Sequence, residues 1–120
     1  IKEAAKRNIM FAPGASTPSD IENILLNSSV DFQFFPAEQT GGVEKLKAIL
    51  EPFDHLTIDV LVKGGVTREK IAEYLKIPQV AAVSVDWIVT QDRIDRKAWD
   101  EIFAVAQEAL RIAKDVQVKA

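Results

Sequence analysis

Short apolar runs alternate with longer amphipathic segments along the chain, and this alternation is typical of parallel α/β proteins. The apolar runs predict four strands, which lie within residues 9–14, 30–36, 56–65 and 79–89. The amphipathic segments predict helices at 1–8, 16–27, 41–53, 67–76 and 96–116. No linker or change of composition interrupts this succession of four βα units. The sequence therefore predicts one domain over residues 1–120.

Capping residues mark the starts of three predicted helices. Thr17 is a good N-cap, Pro18 suits the first helical position, and Asp20 occupies the acidic position of a capping box. Thr67 precedes the fourth helix. Asp95 is predicted to cap the long final helix, whose apolar residues keep a helical spacing.

Alternation within the two middle strands separates an apolar face from a mixed polar face. In the second strand the two sets are Val30, Phe32 and Phe34 against Asp31, Gln33 and Phe35. In the third strand they are Ile58, Val60 and Val62 against Asp59, Leu61 and Lys63. An open doubly wound sheet is apolar on both faces, whereas a barrel can keep polar groups inside its C-terminal mouth. The pattern favours a barrel-type interior, with a flavodoxin-like open parallel sheet as the alternative.

Composition narrows the function classes. The 120 residues are 48% hydrophobic and 28% charged, with a net charge of -3 and no long basic run, so we expect no nucleic-acid partner. The chain has no cysteine, and His55 is its single histidine. We therefore expect no metal site, no other cofactor and no histidine-based triad. Neither a bilayer-length apolar run nor a signal peptide is recognisable, so we expect no membrane association and a cytoplasmic location.

Four separated segments carry a family resemblance: FAPGASTPSDIENIL, FQFFPAEQTGGVEKLKAILEPF, GGVTREKIAEYLKIPQV and VDWIV. Together they resemble the 2-keto-3-deoxy-6-phosphogluconate (KDPG) aldolases and their 4-hydroxy-2-oxoglutarate (KHG) aldolase relatives. The resemblance implies a (βα)8 TIM barrel, of which this chain corresponds to a (βα)4 half-barrel, the C-terminal half. It also implies a class I lyase that forms a Schiff base between pyruvate and a lysine.

The Schiff-base lysine of the family stands in the motif F-K-F-F-P-A-E, which here reads F-Q-F-F-P-A-E. The resemblance thus places Gln33 at the lysine position, and a glutamine amide cannot form an imine. Where the family has P-T-G-G-V, this chain has Lys63 in place of the threonine. Because parity places Lys63 on the face of Gln33, Lys63 is a candidate relocated Schiff-base lysine. The alternative interpretation is an ion pair of Lys63 with a carboxylate: Asp31, Asp59 or Asp86.

The same resemblance implies that residues at the strand ends bind substrate or phosphate: Pro36, Gly64, Gly65, Ser84 and Asp86. A tight turn is the alternative interpretation of Gly64 and Gly65. Where the family reads G-G-S-W, this chain reads S-V-D-W. Val85 adds bulk and Asp86 adds negative charge, so we expect weakened phosphate binding. The general acid/base glutamate and the carboxylate-binding arginine of the family have no counterpart among the matched residues.

Two functions remain open at this point. The first is an aldolase-family lyase that acts on KDPG or KHG and releases pyruvate, with a 2-oxo acid as its small-molecule partner. The second is a non-catalytic or engineered half-barrel scaffold. In either case four parallel strands leave open edges, so we expect a homo-oligomer or pairing with a complementary half-barrel. Trp87, Trp99 and the phenylalanines are predicted to lie in the core, and Glu38 is predicted to be a solvated or capping carboxylate.

Overall fold

The computed structural model describes residues 1–27 and 31–119, and Val30, predicted to open the second strand, lies outside them. The strands are β1 (Gly14–Ala15), β2 (Phe32–Phe34), β3 (Val60–Lys63) and β4 (Val80–Ser84). The helices are α1 (Lys2–Lys6), α2 (Pro18–Leu26), α3 (Gly42–Leu50), α4 (Arg68–Leu75), α5 (Gln91–Asp95) and α6 (Trp99–Lys119). Two short 3₁₀ turns, Glu38–Thr40 and Glu51–Phe53, flank α3.

The four described strands form one parallel sheet in the order β1-β2-β3-β4. Gly14 pairs with Gln33, Gln33 with Leu61, and Lys63 with Ser84. A shift in register follows Val60, where Ala81 is passed over between the β4 partners of Val60 and Leu61. Sequential order without a reversal is the succession of a βα barrel, whereas a flavodoxin-like sheet has the order 2-1-3-4-5. The flavodoxin-like alternative is therefore wrong for these strands.

The predicted capping box at the start of α2 is present. The Thr17 hydroxyl accepts a hydrogen bond from the Asp20 amide, and the Asp20 carboxylate accepts one from the Thr17 amide at 2.9 Å. The Ser16 amide donates to the same carboxylate oxygen at 3.0 Å. These bonds, the backbone bond of Ser16 foremost, lower the pKa of Asp20. They satisfy backbone donors that the first turn of a helix leaves unpaired.

One face of the sheet carries the core. Phe32 and Phe34 of β2 and Val60 and Val62 of β3 are fully buried. They belong to one cluster with apolar residues of the three helices that follow β1, β2 and β3: Ile21, Ile24, Val43, Leu46, Ile49, Ile71 and Tyr74. Each such side chain contributes about 1.5–3 kcal/mol on burial, so this face anchors the sheet.

The opposite face, called the uncovered face below, is the more exposed one among the described residues. Gln33 and Leu61 are only half-buried there, and Phe35 and Lys63 are exposed. The alternation predicted from the sequence thus corresponds to a covered and an uncovered face. The uncovered face is the one that would line the interior of a closed barrel.

Two expectations about the secondary structure need correction. The first strand begins only at Gly14, because Pro13 has no N–H to donate to a ladder; the preceding Met10 is 96% exposed. Asp95 does not cap α6, since it ends α5, and its carboxylate accepts a hydrogen bond from Gln91. A turn with Lys97 at a positive φ of 53° separates the two helices.

Several aromatic residues that were predicted to lie in the core are exposed. Trp99 is 58% exposed and Phe103 is 65% exposed, although both lie on α6 as the helical spacing predicted. Phe11 and Phe35 are exposed as well. Periodicity identified the apolar stripe of α6, but only part of that stripe meets α4 and β4. In the described part of the chain, no helix is both long and apolar enough to cross a bilayer.

Candidate functional site

The predicted site residues converge on the C-terminal edge of the sheet. Lys63 is the last residue of β3, and Ser84 is the last residue of β4. The two are register partners, so their Cα atoms lie on neighbouring strands at the same height. Gln33 lies on β2, on the other side of β3, where it pairs with Leu61. The loops that follow the carboxyl ends of parallel strands form the catalytic end of βα barrels.

Gln33 is tied to the segment before β1. Its backbone N–H donates to the carbonyl of Pro13 at 2.7 Å, and its side-chain amide donates to the carbonyl of Ala12 at 2.9 Å. The side chain is half-buried on the uncovered face. The side-chain amide of Gln33 therefore links β2 to the segment before β1.

Lys63 projects from the same face as Gln33. It lies two residues after Leu61, the residue of β3 that pairs with Gln33. Strand spacing and rise place the two Cα atoms roughly 8 Å apart, within the range that a lysine side chain can cover. Lys63 is exposed. Among residues 1–27 and 31–119, no salt bridge joins its ammonium group to Asp59 or Asp86.

The turn after Lys63 packs tightly against the turn after β2. The amide of Ala37 donates to the carbonyl of Lys63 at 2.9 Å, and the amide of Glu38 donates to the carbonyl of Gly64 at 3.1 Å. Gly64 has a φ of 107°, and a Cβ there would lie 3.0 Å from both Pro36 Cα and Ala37 N. Pro36 and Gly64 are thus brought into contact, and the peptide bond before Pro36 is cis.

Gly65 has a different environment. Its φ is 73°, and an added Cβ would approach Glu38 Cβ at 3.2 Å and the Gln39 amide at 3.3 Å. Gly65 therefore packs against the turn that leads into α3. The tight-turn interpretation accounts for the geometry of both glycines, and their role in binding phosphate stays a prediction.

Ser84 and Asp86 differ in exposure. Ser84 is half-buried beside Lys63, whereas Asp86 is exposed, and its carboxylate forms no salt bridge with a described residue. Val85, between them, packs against the core cluster. The end of β4 thus presents the Ser84 hydroxyl on the strand next to Lys63, and Asp86 follows two residues later.

Trp87 connects the loops after β3 and β4, and sequence reasoning assigned it only to the core. Its indole N–H donates to the carbonyl of Val66 at 2.9 Å. The guanidinium of Arg68 lies 5.0 Å from the centre of its ring, and Arg93 donates to the Trp87 carbonyl at 2.6 Å. The spacing of these residues in the sequence carried no signal for this contact, because it joins separate βα units.

Glu38 is a structural carboxylate in the described chain. Its Oε1 accepts a hydrogen bond from the Tyr74 hydroxyl at 2.5 Å, and it approaches the backbone at Gly42. The side chain therefore points towards α3 and α4, away from Lys63. No group of three or more metal-ligating side chains (His, Cys, Asp or Glu) is gathered within the described residues.

Comparisons with known proteins identify the family of this chain. The family model "KDPG and KHG aldolase" matches residues 1–105. The 2-dehydro-3-deoxy-phosphogluconate aldolase of Haemophilus influenzae is 35% identical over 114 residues, which cover 95% of this chain and 53% of that protein. This chain thus spans about half the length of the curated relatives that it matches.

Two crystal structures are similar over most of the chain. The 2-keto-3-deoxy-6-phosphogluconate aldolase of Zymomonas mobilis with 3-phosphoglycerate has a TM-score of 0.80 and 30% identity over 90% of this chain and 49% of its own. The KDPG aldolase of Legionella pneumophila, with pyruvate captured as a covalent carbinolamine, has a TM-score of 0.75 and 31% identity over 87% and 48%. This chain belongs to the KDPG and KHG aldolase family.

Proposed function

We propose that the chain carries the Schiff-base lyase chemistry of its family, with Lys63 supplying the amine that Gln33 cannot. The substrate would be 2-keto-3-deoxy-6-phosphogluconate or 4-hydroxy-2-oxoglutarate, and pyruvate would be released. The observation that carries this proposal is the position of Lys63 on the uncovered face of the sheet, beside Gln33.

The chemistry requires one amine and a 2-oxo acid. The neutral Nζ of Lys63 attacks the C2 carbonyl, and loss of water from the carbinolamine leaves a protonated imine. The C3–C4 bond then breaks, its electron pair forms an enamine with the imine carbon, and the C4 hydroxyl gives its proton to a base as the aldehyde leaves. The enamine takes a proton at C3, and hydrolysis of the imine returns pyruvate and the lysine.

The pyruvate carbinolamine of the Legionella pneumophila structure supports the choice of ligand. That protein binds pyruvate covalently on a fold that this chain shares over most of its length. Ser84, opposite Lys63, offers a hydroxyl that would hydrogen-bond a bound 2-oxo acid. Asp86 adds a negative charge to the same end of the sheet and disfavours a phosphate there.

We further propose that the four strands form half of a barrel that is closed by a second (βα)4 unit, either another copy of this chain or a complementary half-barrel. The sequential parallel order and the uncovered face support this arrangement. Closure would exclude water from the end of the sheet that carries Lys63.

A second candidate function is a non-catalytic scaffold that self-associates through the same uncovered face. The hydrogen bond from the Gln33 amide to the Ala12 carbonyl favours it, because this bond gives Gln33 a structural role that needs no substrate. The two candidates differ in one property, which is whether Lys63 reacts with a 2-oxo acid.

Reductive trapping separates them. The protein is incubated with pyruvate and borohydride, and the modified peptide is identified by mass spectrometry. The lyase proposal expects a single adduct on the peptide that contains Lys63, abolished in Lys63→Ala. Lys76→Ala is a matched control, since Lys76 is an exposed lysine beyond the end of α4, and this variant should keep the adduct. Label spread over surface lysines, or no adduct, would favour the scaffold.

A further inference from the structure

Trp87 lies at the meeting point of three helices and two loops. Its indole N–H bonds to the carbonyl of Val66 at 2.9 Å, and its own carbonyl accepts from Arg93 at 2.6 Å. Arg68 covers the ring at 5.0 Å and forms a salt bridge with Glu108 of α6 at 3.1 Å. The indole ring is thus held by Arg68 of α4, which is itself bridged to α6, and the backbone of Trp87 is held by Arg93 of α5.

These contacts act on the segment that carries the Lys63 amine. Only Gly64 and Gly65 separate Lys63 from Val66, and both have positive φ angles. Two glycines in sequence allow many backbone directions, so the course of the turn after Lys63 depends on the bonds at both ends of the pair. Upstream, β3 pairs with β4, and the carbonyls of Lys63 and Gly64 accept from the turn after β2; downstream, the anchors are the buried side chain of Val66 and the indole bond to its carbonyl.

We infer that Trp87 is a positioning residue, which fixes the backbone from Lys63 to Val66 and thereby directs the Lys63 amine over the uncovered face. This inference rests on the proposed reaction of Lys63 with a 2-oxo acid. Trp87 itself touches no reacting atom. Its effect is geometric: an amine held in one direction reaches the attack geometry more often than an amine on a mobile turn.

The two tryptophans of the chain provide a matched pair of variants. Trp87→Phe keeps an aromatic ring for Arg68 to cover but removes the N–H that binds Val66. Trp99→Phe makes the same chemical change on an exposed side chain at the start of α6. The time course of imine formation with pyruvate, trapped with cyanoborohydride, is followed for each variant at several pyruvate concentrations.

The expected result is a maximal rate constant about fivefold to tenfold lower in Trp87→Phe, the effect of losing one orienting hydrogen bond. The fraction of chains that react should be unchanged, and Trp99→Phe should match the unmodified protein. A merely structural role would lower the reacting fraction and leave the rate constant unaltered. That outcome, or equal rate constants in all three proteins, overturns the positioning role.

The unmodified protein tests the proposed function separately from the role of Trp87. If the unmodified protein forms no adduct at Lys63, the lyase proposal fails and the positioning role fails with it. If the adduct forms and Trp87→Phe does not fold, Trp87→Met takes its place, because it fills part of the indole volume with an apolar side chain and also lacks the N–H that binds Val66. A rate constant equal to that of the unmodified protein in Trp87→Met would then overturn the inference, and a lower one at full reacting fraction would support it.

Discussion

The hydroxyl of Tyr74 in α4 donates a hydrogen bond to Oε1 of Glu38, in the turn after β2, at 2.5 Å. The contact joins two βα units across 36 residues of sequence. Burial of Tyr74 is the main cause that raises the pKa of its phenol above the usual range, and the hydrogen bond to Glu38 adds to it. The turn after β2, which packs against Gly64, is therefore bonded to α4 through a protonated tyrosine.

The raised pKa of Tyr74 predicts a loss of stability in alkali. An unfolded tyrosine ionises near pH 10, whereas the folded protein retains this proton, so the free energy of unfolding should fall as the pH rises above about 10. Tyr74→Phe should be less stable at neutral pH by about 1–2 kcal/mol and should lack this alkaline decrease. Urea unfolding at several pH values between 8 and 11 (roughly spanning the phenol range) measures both quantities.

Tyrosinate absorbance provides a direct check, because Tyr74 is the only tyrosine of the chain. The absorbance should rise only together with unfolding, which is followed by circular dichroism. Tyrosinate that appears near pH 10 in the folded protein would contradict the raised pKa. In the urea experiment, the ionisation of the lysines affects the unmodified protein and Tyr74→Phe alike. The difference between their free energies of unfolding therefore isolates Tyr74.

Gly64 should not tolerate a side chain. Its φ of 107° is disfavoured for L-residues, and an added Cβ would lie 3.0 Å from the backbone of Pro36 and Ala37. Gly64→Ala should therefore lower the free energy of unfolding by about 1–3 kcal/mol. Gly14→Ala is the control, since nothing lies within 4 Å of an added Cβ there. Equal stability of the two variants in urea unfolding would show that the turn can relax.

The capping box of α2 should contribute stability only where Asp20 is ionised. Its folded pKa is lowered from the ordinary value of 3.8, so this contribution is complete above about pH 4 and is lost as the pH falls through the lower folded value. Asp20→Ala should cost about 0.5–1 kcal/mol at pH 7, and the cost should shrink in acid. Glu22→Ala, on an exposed position of the same helix, is the control for removing a carboxylate. A cost that is constant with pH would contradict the charged cap.

Local chemistry in the sequence predicted part of this structure well. The Thr17–Asp20 pattern needs only four neighbouring residues, so it identified the start of α2. Parity along β2 and β3 likewise separated the covered from the uncovered face, and it predicted that Lys63 and Gln33 lie on the same side of the sheet.

The predictions that failed have both local and long-range causes. The Asp95 prediction failed because Thr90, five residues earlier, accepts the capping bond of α5 from Arg93. The exposure of Trp99 and Phe103 depends on what packs against α6, which no period in the sequence specifies. The bond from Trp87 to Val66 spans 21 residues and gave no sequence signal.

Self-association is the last expectation, and it follows from both edges of the sheet. No described strand pairs with the outer edge of β1 or of β4. Large apolar side chains are exposed near each edge: Ile9, Met10 and Phe11 before β1, and Val89, Ile94, Trp99, Phe103 and Leu110 after β4. Open strand edges beside apolar surface favour pairing with another chain. We therefore expect a dimer or larger assembly at micromolar concentration in sedimentation or light scattering.

A pair of substitutions locates the contact. Phe103→Ser replaces an exposed ring of α6 and should weaken association about tenfold or more, the effect of losing a buried aromatic anchor. Leu56→Ser replaces an apolar residue in the segment before β3, in the middle of the sheet, and should leave the association constant unchanged. Both variants should keep their helical circular dichroism, because neither side chain is part of the core. A compact monomer at every concentration, with a high melting temperature, would show that the uncovered face and the open edges are stable in water without a partner.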